Sequence, residues 1–502
     1  MDKFFWSRYA GNPMTITGIL LAMVSFVFIV LLFLVEVLTG HSNAYIGIFL
    51  YMVLPPFFFL GILIIPIGMI RTWRRHQRGE TVRPARWPVV DLRIPRHRWL
   101  TTFFTVGTFF LIIFFSVGSY HAYNHSNSVE FCGLTCHDVM EPEYTAYQRS
   151  SHARVSCAEC HIGSGAGWFA RSKLSGVRQV FAVALNTYSR PIPTPIENLR
   201  PAQETCETCH WPEKFFGAQQ VQYNHYMYDE DVTHWPINML IRTGGGDEVS
   251  GQKEGIHWHM NIQSVTEYIA RDERRQDIPW VRFTDKGTGR VTVYQSEEDP
   301  LTEEEIASAE IRTMDCVDCH NRPSHIFHSP DYAVDLALLT GGIPRDLPSI
   351  KAVAVEAMTG KYETKEEARQ GIAEHIAGYY HDELGDEAAR GPKVRQAIAG
   401  TQEVFSYNIF PEMKTSWAAY PDNIGHFTDK GCMRCHDGTM VSHEDEPITR
   451  DCNACHIILS QGSGEFAEYS NSPEGLEFVH PDDIDEEWRE TGCYECHDGT
   501  AP

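Results

Sequence analysis

The sequence predicts a mainly α protein: three transmembrane helices, then a loop-rich domain outside the membrane that carries a small β insertion. Three observations lead there. Three long apolar runs lie within residues 1–123. Charge is unevenly split. Residues 1–123 hold 11 Lys/Arg and 4 Asp/Glu, a net of +7, whereas residues 124–502 hold 31 and 62, a net of −31, together giving −24. Finally, all 14 cysteines fall into seven short motifs, each closed by a histidine.

The first apolar run, Met14 to Leu38, is long enough to cross a bilayer and too long for a cleaved signal peptide. Glu36 is its single acid. Tyr45 to Ile70 is the second run. Pro55, Pro56 and Pro66 should kink it, which membrane helices tolerate when neighbours satisfy the freed carbonyls. Trp99 to Tyr120 is the third, rich in Phe. Lys3 and Arg8 precede the first run, and nine arginines from Arg71 to Arg98 separate the second from the third. The short loop near His41 has no basic residue except that histidine. By the positive-inside rule the N-terminus and the Arg-rich loop are cytoplasmic. Residue 124 onward is then on the outer side of the membrane.

The first two cysteine motifs follow at once. Cys132, Cys136 and His137 read C-x-x-x-C-H; Cys157, Cys160 and His161 read C-x-x-C-H. The others are Cys206/Cys209/His210, Cys316/Cys319/His320, Cys432/Cys435/His436, Cys452/Cys455/His456 and Cys493/Cys496/His497. C-x-x-C-H is the attachment sequence of c-type haem. Two thiols a few residues apart reach both vinyl groups of one porphyrin, and the adjacent imidazole meets the iron. No thiol is left over for structural zinc or disulfides, so seven c-type haems are expected, attached outside the cytoplasm. The acidic surface argues against nucleic acid.

The remaining chain divides by composition. Residues 1–123 are the anchor, and 124–330 hold four motifs around a β insertion at 211–315. In that insertion Val281–Phe283 and Arg290–Tyr294 flank Asp285-Lys-Gly-Thr-Gly289, a hairpin signal. Gly244-Gly-Gly246 adds a turn. Thr302 with Glu305 forms a capping box. Residues 331–400 form a helical connector: Ala333–Leu339, Ile350–Met358 and Lys365–Tyr380 show helical apolar spacing, and Thr364 with Glu367 caps the last. Residues 401–502 form a three-haem module.

From Phe131 to Cys160 the chain carries FC…CH..M, Glu143-Tyr144, Ser151-His152 and C-x-x-C-H, and later Cys316-Val-Asp-Cys-His320 with His325. In these residues it resembles the NapC/NirT family of membrane-anchored multihaem quinol dehydrogenases. The likeness spans residues 100–330 with a large insertion. That family's core has four haems and usually one anchor helix. Seven motifs and three spans fit its larger relatives, inner-membrane cytochromes that pass electrons from menaquinol to periplasmic carriers. The first motif departs from the family pattern by one residue, and Met140 falls three residues after His137, where the family often has two.

Low-spin haem needs a second axial ligand, most often His or Met. Local position and the family pattern select His152 and His325, with His328 as a neighbouring substitute. Met140 is the candidate for the first haem. After residue 401 three histidines lie outside the motifs, His426, His443 and His480, one for each haem there. His257 and His259 would share one strand face, and at least one of the insertion's histidines is expected to reach a haem. For the quinol, the resemblance points to Lys173, since the family has a quinone-contacting lysine in a similar place. Asp138 is the candidate proton acceptor, with Glu141 and Glu143 beside it, and Glu36 is the outlying alternative.

The leading functional reading is a menaquinol dehydrogenase working between the menaquinone pool and periplasmic cytochromes. The alternative is an electron-wire subunit of a larger membrane redox complex, without its own quinone site. A terminal reductase would need an open iron in a polar pocket, and the histidine supply after residue 401 argues against one there.

Overall fold

The computed structural model describes residues 11–39, 53–80, 91–135, 137–162, 166–196, 200–215, 217–244 and 255–500. Residues 45–52 of the second apolar run, Lys3, Arg8, Arg83, Arg86, Gly245, Gly246 and Cys136 lie outside them, as do the side chains of Glu36 and His137. The chain forms two compact units, one drawn from Met1–Cys132 and Ser156–Asn186, the other from Gly133–Val155 and Thr187–Pro502.

In the first unit, helix α1 (Pro13–Thr39) packs against α2 (Leu54–Gln77). Small residues permit the contact. A Cβ on Gly18 would sit 2.9 Å from the Gly61 carbonyl oxygen, and one on Gly61 would sit 2.6 Å from the Ala22 nitrogen. Close backbone approach is how helices associate in lipid, where apolar burial gives no net drive. Asn12 caps α1, its Oδ1 accepting from the Thr15 N–H at 2.9 Å. Pro66 lies inside α2 without ending it.

Two helices among the described residues, Pro13–Leu32 and Leu54–Gln77, are long and apolar enough to span a bilayer, against the expected three. The third expected run does form one continuous helix, α3 (Pro95–Ser126), but several of its side chains lie outside the described residues. After the second haem motif comes α4 (Ala166–Ala184). Leu174, Val177 and Phe181, at helical spacing, are 73%, 56% and 63% exposed, so this helix shows an apolar stripe.

The second unit pairs a helical core with two antiparallel sheets. The expected connector helices appear as Pro330–Thr340, Ile350–Met358 and Lys365–Leu384, joined by Pro392–Asn408. Val334, Ile350, Met358, Ile372, Ile376 and Tyr380 are fully enclosed where these helices meet. Thr364 caps its helix as expected, accepting from the Glu367 N–H at 3.1 Å.

The insertion contributes β1 (Gln219–Tyr226), β2 (His234–Ile241), β3 (Ser264–Ile269), β4 (Trp280–Asp285), β5 (Val291–Ser296) and β6 (Arg312–Thr313). The expected hairpin is β4–β5, with Asp285 Oδ1 accepting from Gly287 and Thr288 in the turn. The insertion does not stand alone. Residues after 401 add β7 (Met440–Ser442), β8 (His456–Gln461) and β9 (Glu468–Tyr469). The sheet orders are β1-β2-β8-β9 and β6-β3-β4-β5-β7. Without those later strands β2 and β5 would present open edges, whose unpaired N–H and C=O groups need partners.

Candidate haem sites

Most motifs fold as a single helical turn. Cys157–His161, Cys316–Cys319, Cys452–Cys455 and Cys493–Cys496 are short α turns, while Cys206–Thr208 and Gly431–Arg434 are 3-10 turns. Side chains start several of them. Ser156 with Glu159 and Asp315 with Asp318 make capping boxes, and Asp451 caps a third. In each of four turns the histidine N–H donates to the first cysteine's carbonyl: His210 at 2.8 Å, His320 at 2.7 Å, His436 at 3.1 Å and His497 at 2.9 Å. One turn puts residues i and i+3 on the same side, so both thiols face one object. None of the described cysteines forms a disulfide.

The sequence treats the attachment thiols alike, and the structure does not. Cys209, Cys452 and Cys496 are exposed, whereas the other described motif cysteines are partly buried. Cys209 ends the 3-10 turn of the third motif, its N–H donating to the Cys206 carbonyl at 3.1 Å. The exposed His210 and Trp211 follow it, so the polypeptide covers Cys206 more than Cys209.

The histidines pair across the fold. The ring centroids of His152 and His210 are 6.1 Å apart, those of His426 and His456 6.2 Å, and those of His480 and His497 6.1 Å. Two more pairs have the same spacing: His257 with His320 at 6.2 Å and His259 with His436 at 5.8 Å. Every pair joins one motif histidine to one outside the motifs. Two imidazoles on opposite sides of one metal, each bonded at about 2 Å, hold their ring centres about 6 Å apart. The residues therefore fit c-type haem with two histidine ligands.

Tautomers agree with this. Nδ1 of His152 lies 3.2 Å from the Pro323 carbonyl, and that of His436 2.8 Å from the Thr449 carbonyl. A carbonyl only accepts, so Nδ1 carries the proton and Nε2 keeps its lone pair for a metal.

The other expected ligands are placed as follows. His443 follows β7 at the tip of a turn closed by Ser442 and Glu446, 71% exposed and beside Glu444. The turn carries it into solvent, and His259 stands opposite His436. The expectation that His257 and His259 share a strand face is corrected, because they lie on a 3-10 turn, Ile256–Met260. His325 is partly buried, its Nδ1 3.0 Å from the Glu143 carbonyl and 3.1 Å from the Glu143 carboxylate, which also pairs with Arg322. His328 stacks on Tyr332 at 4.6 Å, and burial pushes its imidazole down to about 4. Met140 is half-buried.

The motifs also lie side by side. In the first unit Cys132 and Cys157 come within hydrogen-bonding reach. In the second, Cys206 reaches Cys316, Cys319 is close to Cys432 and Cys435, Cys455 to Cys432, and Cys493 to Cys452. Motifs three to seven thus neighbour one another in chain order, a succession the motif spacing does not reveal.

Of the quinol-site candidates, Lys173 lies half-buried on α4, within electrostatic reach of Cys132; burial lowers its ammonium pKa, and Cys132 opposes that. Asp138 is exposed. Glu141 is tied to Lys365 at 2.6 Å, and Glu143 is held by Arg322 and His325.

One-turn cysteine motifs, opposed imidazoles and membrane helices together define a membrane-anchored multihaem c-type cytochrome, an electron-transport protein. Residues 94–193 match the model of the NapC/NirT cytochrome c family, N-terminal region. Over 499 residues the chain is 44% identical to the cytochrome c-type protein ImcH of Geobacter sulfurreducens, covering 98% of this chain and 96% of that one. Over 99 residues it is 32% identical to the cytochrome c-type protein NrfH of Wolinella succinogenes, covering 19% of this chain and 55% of that one. The chain belongs to the NapC/NirT cytochrome c family. No solved structure matches it.

Proposed function

We propose that the chain is a seven-haem menaquinol dehydrogenase of the bacterial inner membrane, with its N-terminus cytoplasmic, α1, α2 and α3 as three spans, and its haem domain periplasmic. The 14 motif cysteines attach the haems, and the seven motif histidines are proximal ligands. His152 serves the third haem, His426 the sixth and His480 the seventh. His325 is a further candidate distal ligand, with His328 in reserve, and Met140 is the candidate for the first haem. Bound haem supplies reversible one-electron exchange at iron.

The protein's own part is to hold quinol and take its protons. Oxidising one menaquinol to menaquinone releases two electrons and two protons. The observation that carries the reading is Lys173: a half-buried cation on an amphipathic helix, within reach of the first motif's Cys132. The exposed Leu174, Val177 and Phe181 suit a helix lying in the membrane interface, where quinol's ring resides. Lys173 Nζ donates to a quinol oxygen, and the Asp138 carboxylate accepts a proton; Glu36 is the alternative acceptor. Electrons leave for periplasmic cytochromes or a partner redox complex.

The test is Lys173→Met in the purified full chain. Menaquinol-driven haem reduction should fall by at least tenfold, with haem content and reduction by dithionite unchanged. Full quinol activity in that variant excludes Lys173. No quinol activity in the unaltered chain favours a wire that depends on a partner.

A further inference from the structure

The β insertion contains no cysteine motif between Pro212 and Asp315. We propose that it nonetheless completes two haem sites: the single turn Ile256–Met260 gives His257 to the fourth iron and His259 to the fifth. The proposal rests on the haem-attachment reading above and deepens it.

Geometry carries it. A 3-10 helix has about three residues per turn, so residues i and i+2 project roughly 120° apart. On a strand they would project together. The two rings accordingly meet different partners, His257 opposite His320 at 6.2 Å and His259 opposite His436 at 5.8 Å. Both rings are fixed in the ligating tautomer. His257 Nδ1 lies 2.7 Å from the Thr243 carbonyl, and His259 Nδ1 lies 3.2 Å from the Ile256 carbonyl, so each donates there and leaves Nε2 free.

The surroundings lock the two motifs together. Asp318, inside the fourth motif and 2% exposed, accepts from Tyr268 on β3 at 2.7 Å and from Arg275 and Arg312 at 2.8 Å. Its backbone carbonyl accepts from Arg434, inside the fifth motif, at 2.9 Å. The insertion therefore holds both motifs from one side while its turn supplies a ligand to each.

The ring planes make the two sites distinguishable. His257 and His320 are inclined by 15°, His259 and His436 by 83°. Near-parallel imidazoles give a rhombic low-spin ferric EPR signal; near-perpendicular ones give a strongly anisotropic signal with a large g maximum.

The experiment uses the full chain with His257→Ala, His259→Ala, His257→Met and His259→Met, read by mass spectrometry for haem content and by EPR and redox titration. His257→Ala should convert one haem to high spin and remove a rhombic component. His259→Ala should convert a different haem and remove a strongly anisotropic one. Each Met variant should raise the potential of one haem, a different one in each case, because Met ligation raises it. If the Ala variants accumulate poorly, the Met variants decide. Full haem content with unchanged EPR and titration, or the same haem altered by both substitutions, overturns the proposal. A haem shortfall in the unaltered chain would instead overturn the seven-haem reading, and quinol activity enters neither judgement.

Discussion

Asp318→Ala is expected to be among the most destabilising single changes in the second unit. The carboxylate is 2% exposed and accepts from Tyr268, Arg275, Arg312 and the Asp315 N–H, at 2.7 to 2.8 Å. Removing one partner of a buried ion pair costs about 3–5 kcal/mol, because the other charge is left behind. Here the arginines retain 23% and 28% side-chain exposure and can regain water, so the low end applies, about 3 kcal/mol. Tyr268, 1% exposed, cannot regain water; burial and the neighbouring Asp318 push its phenol up, so it stays a neutral donor. Its orphaned hydroxyl adds about 1 kcal/mol. A loss of about 4 kcal/mol is nearly three orders of magnitude in the unfolding equilibrium. Urea unfolding of the detergent-solubilised chain, followed by far-UV circular dichroism, measures it. Asp318→Asn should fall between, since it keeps an acceptor and loses the charge. A loss below about 1 kcal/mol for Asp318→Ala would mean that the cluster behaves like surface pairs, and the reasoning fails.

Two further outcomes follow from the structure. His443→Ala should leave every haem's spin state and potential unchanged, because that side chain is 71% exposed beside Glu444; a new high-spin EPR signal would restore it as a ligand. Asp335 sits in a buried cluster with Lys351 at 2.8 Å and His225 at 3.8 Å. Burial pushes its carboxyl from 3.8 up to about 7, against the pull of Lys351 and with the push of Asp331. The folded state then binds the proton more tightly than the unfolded state, so this group's contribution to stability is full below 3.8 and is lost as pH rises through about 7. Thermal midpoints at about pH 5 and about pH 8 should show a fall that Asp335→Asn reduces; an identical fall in both proteins would assign it to other groups.

How much could be read beforehand depended on whether the signal was local. A C-x-x-C-H turn is a five-residue affair, so the cysteines and their histidines stand out without any fold. How far each thiol is covered is not local, which is why Cys209 and Cys206 differ although one motif holds both. Ile350–Met358 is also local: apolar spacing sets its bounds, and the structure reproduces them. The Thr302 and Thr364 caps were visible because three-residue spacing is all they need. Pairing across the chain was another matter. His152 and His210 are 58 residues apart and His259 and His436 are 177 apart, and nothing in either neighbourhood names the partner. Counting histidines after residue 401 matches three ligands to three haems, but His259, the ring opposite His436, lies outside that stretch.

The stretch after residue 401 is also tied to the insertion, and for a physical reason. Three clustered motifs make residues 401–502 look separable. Yet β7 pairs with β5, with Tyr294 opposite Ser442, and β8 pairs with β2, with Met239 opposite Ile458. Strand edges left open by one stretch are closed by the other. The ligand pairs obey the same logic, since His259 from the insertion faces His436 from the C-terminal stretch. Haem has two axial positions, and only the proximal one is tied to its attachment motif. The distal position is free to draw on any part of the chain, so each haem becomes a tie between segments. A short 3-10 turn that supplies two such ties would fix the spacing of neighbouring motifs more firmly than either sheet alone, and electron transfer between neighbouring sites depends on spacing being kept.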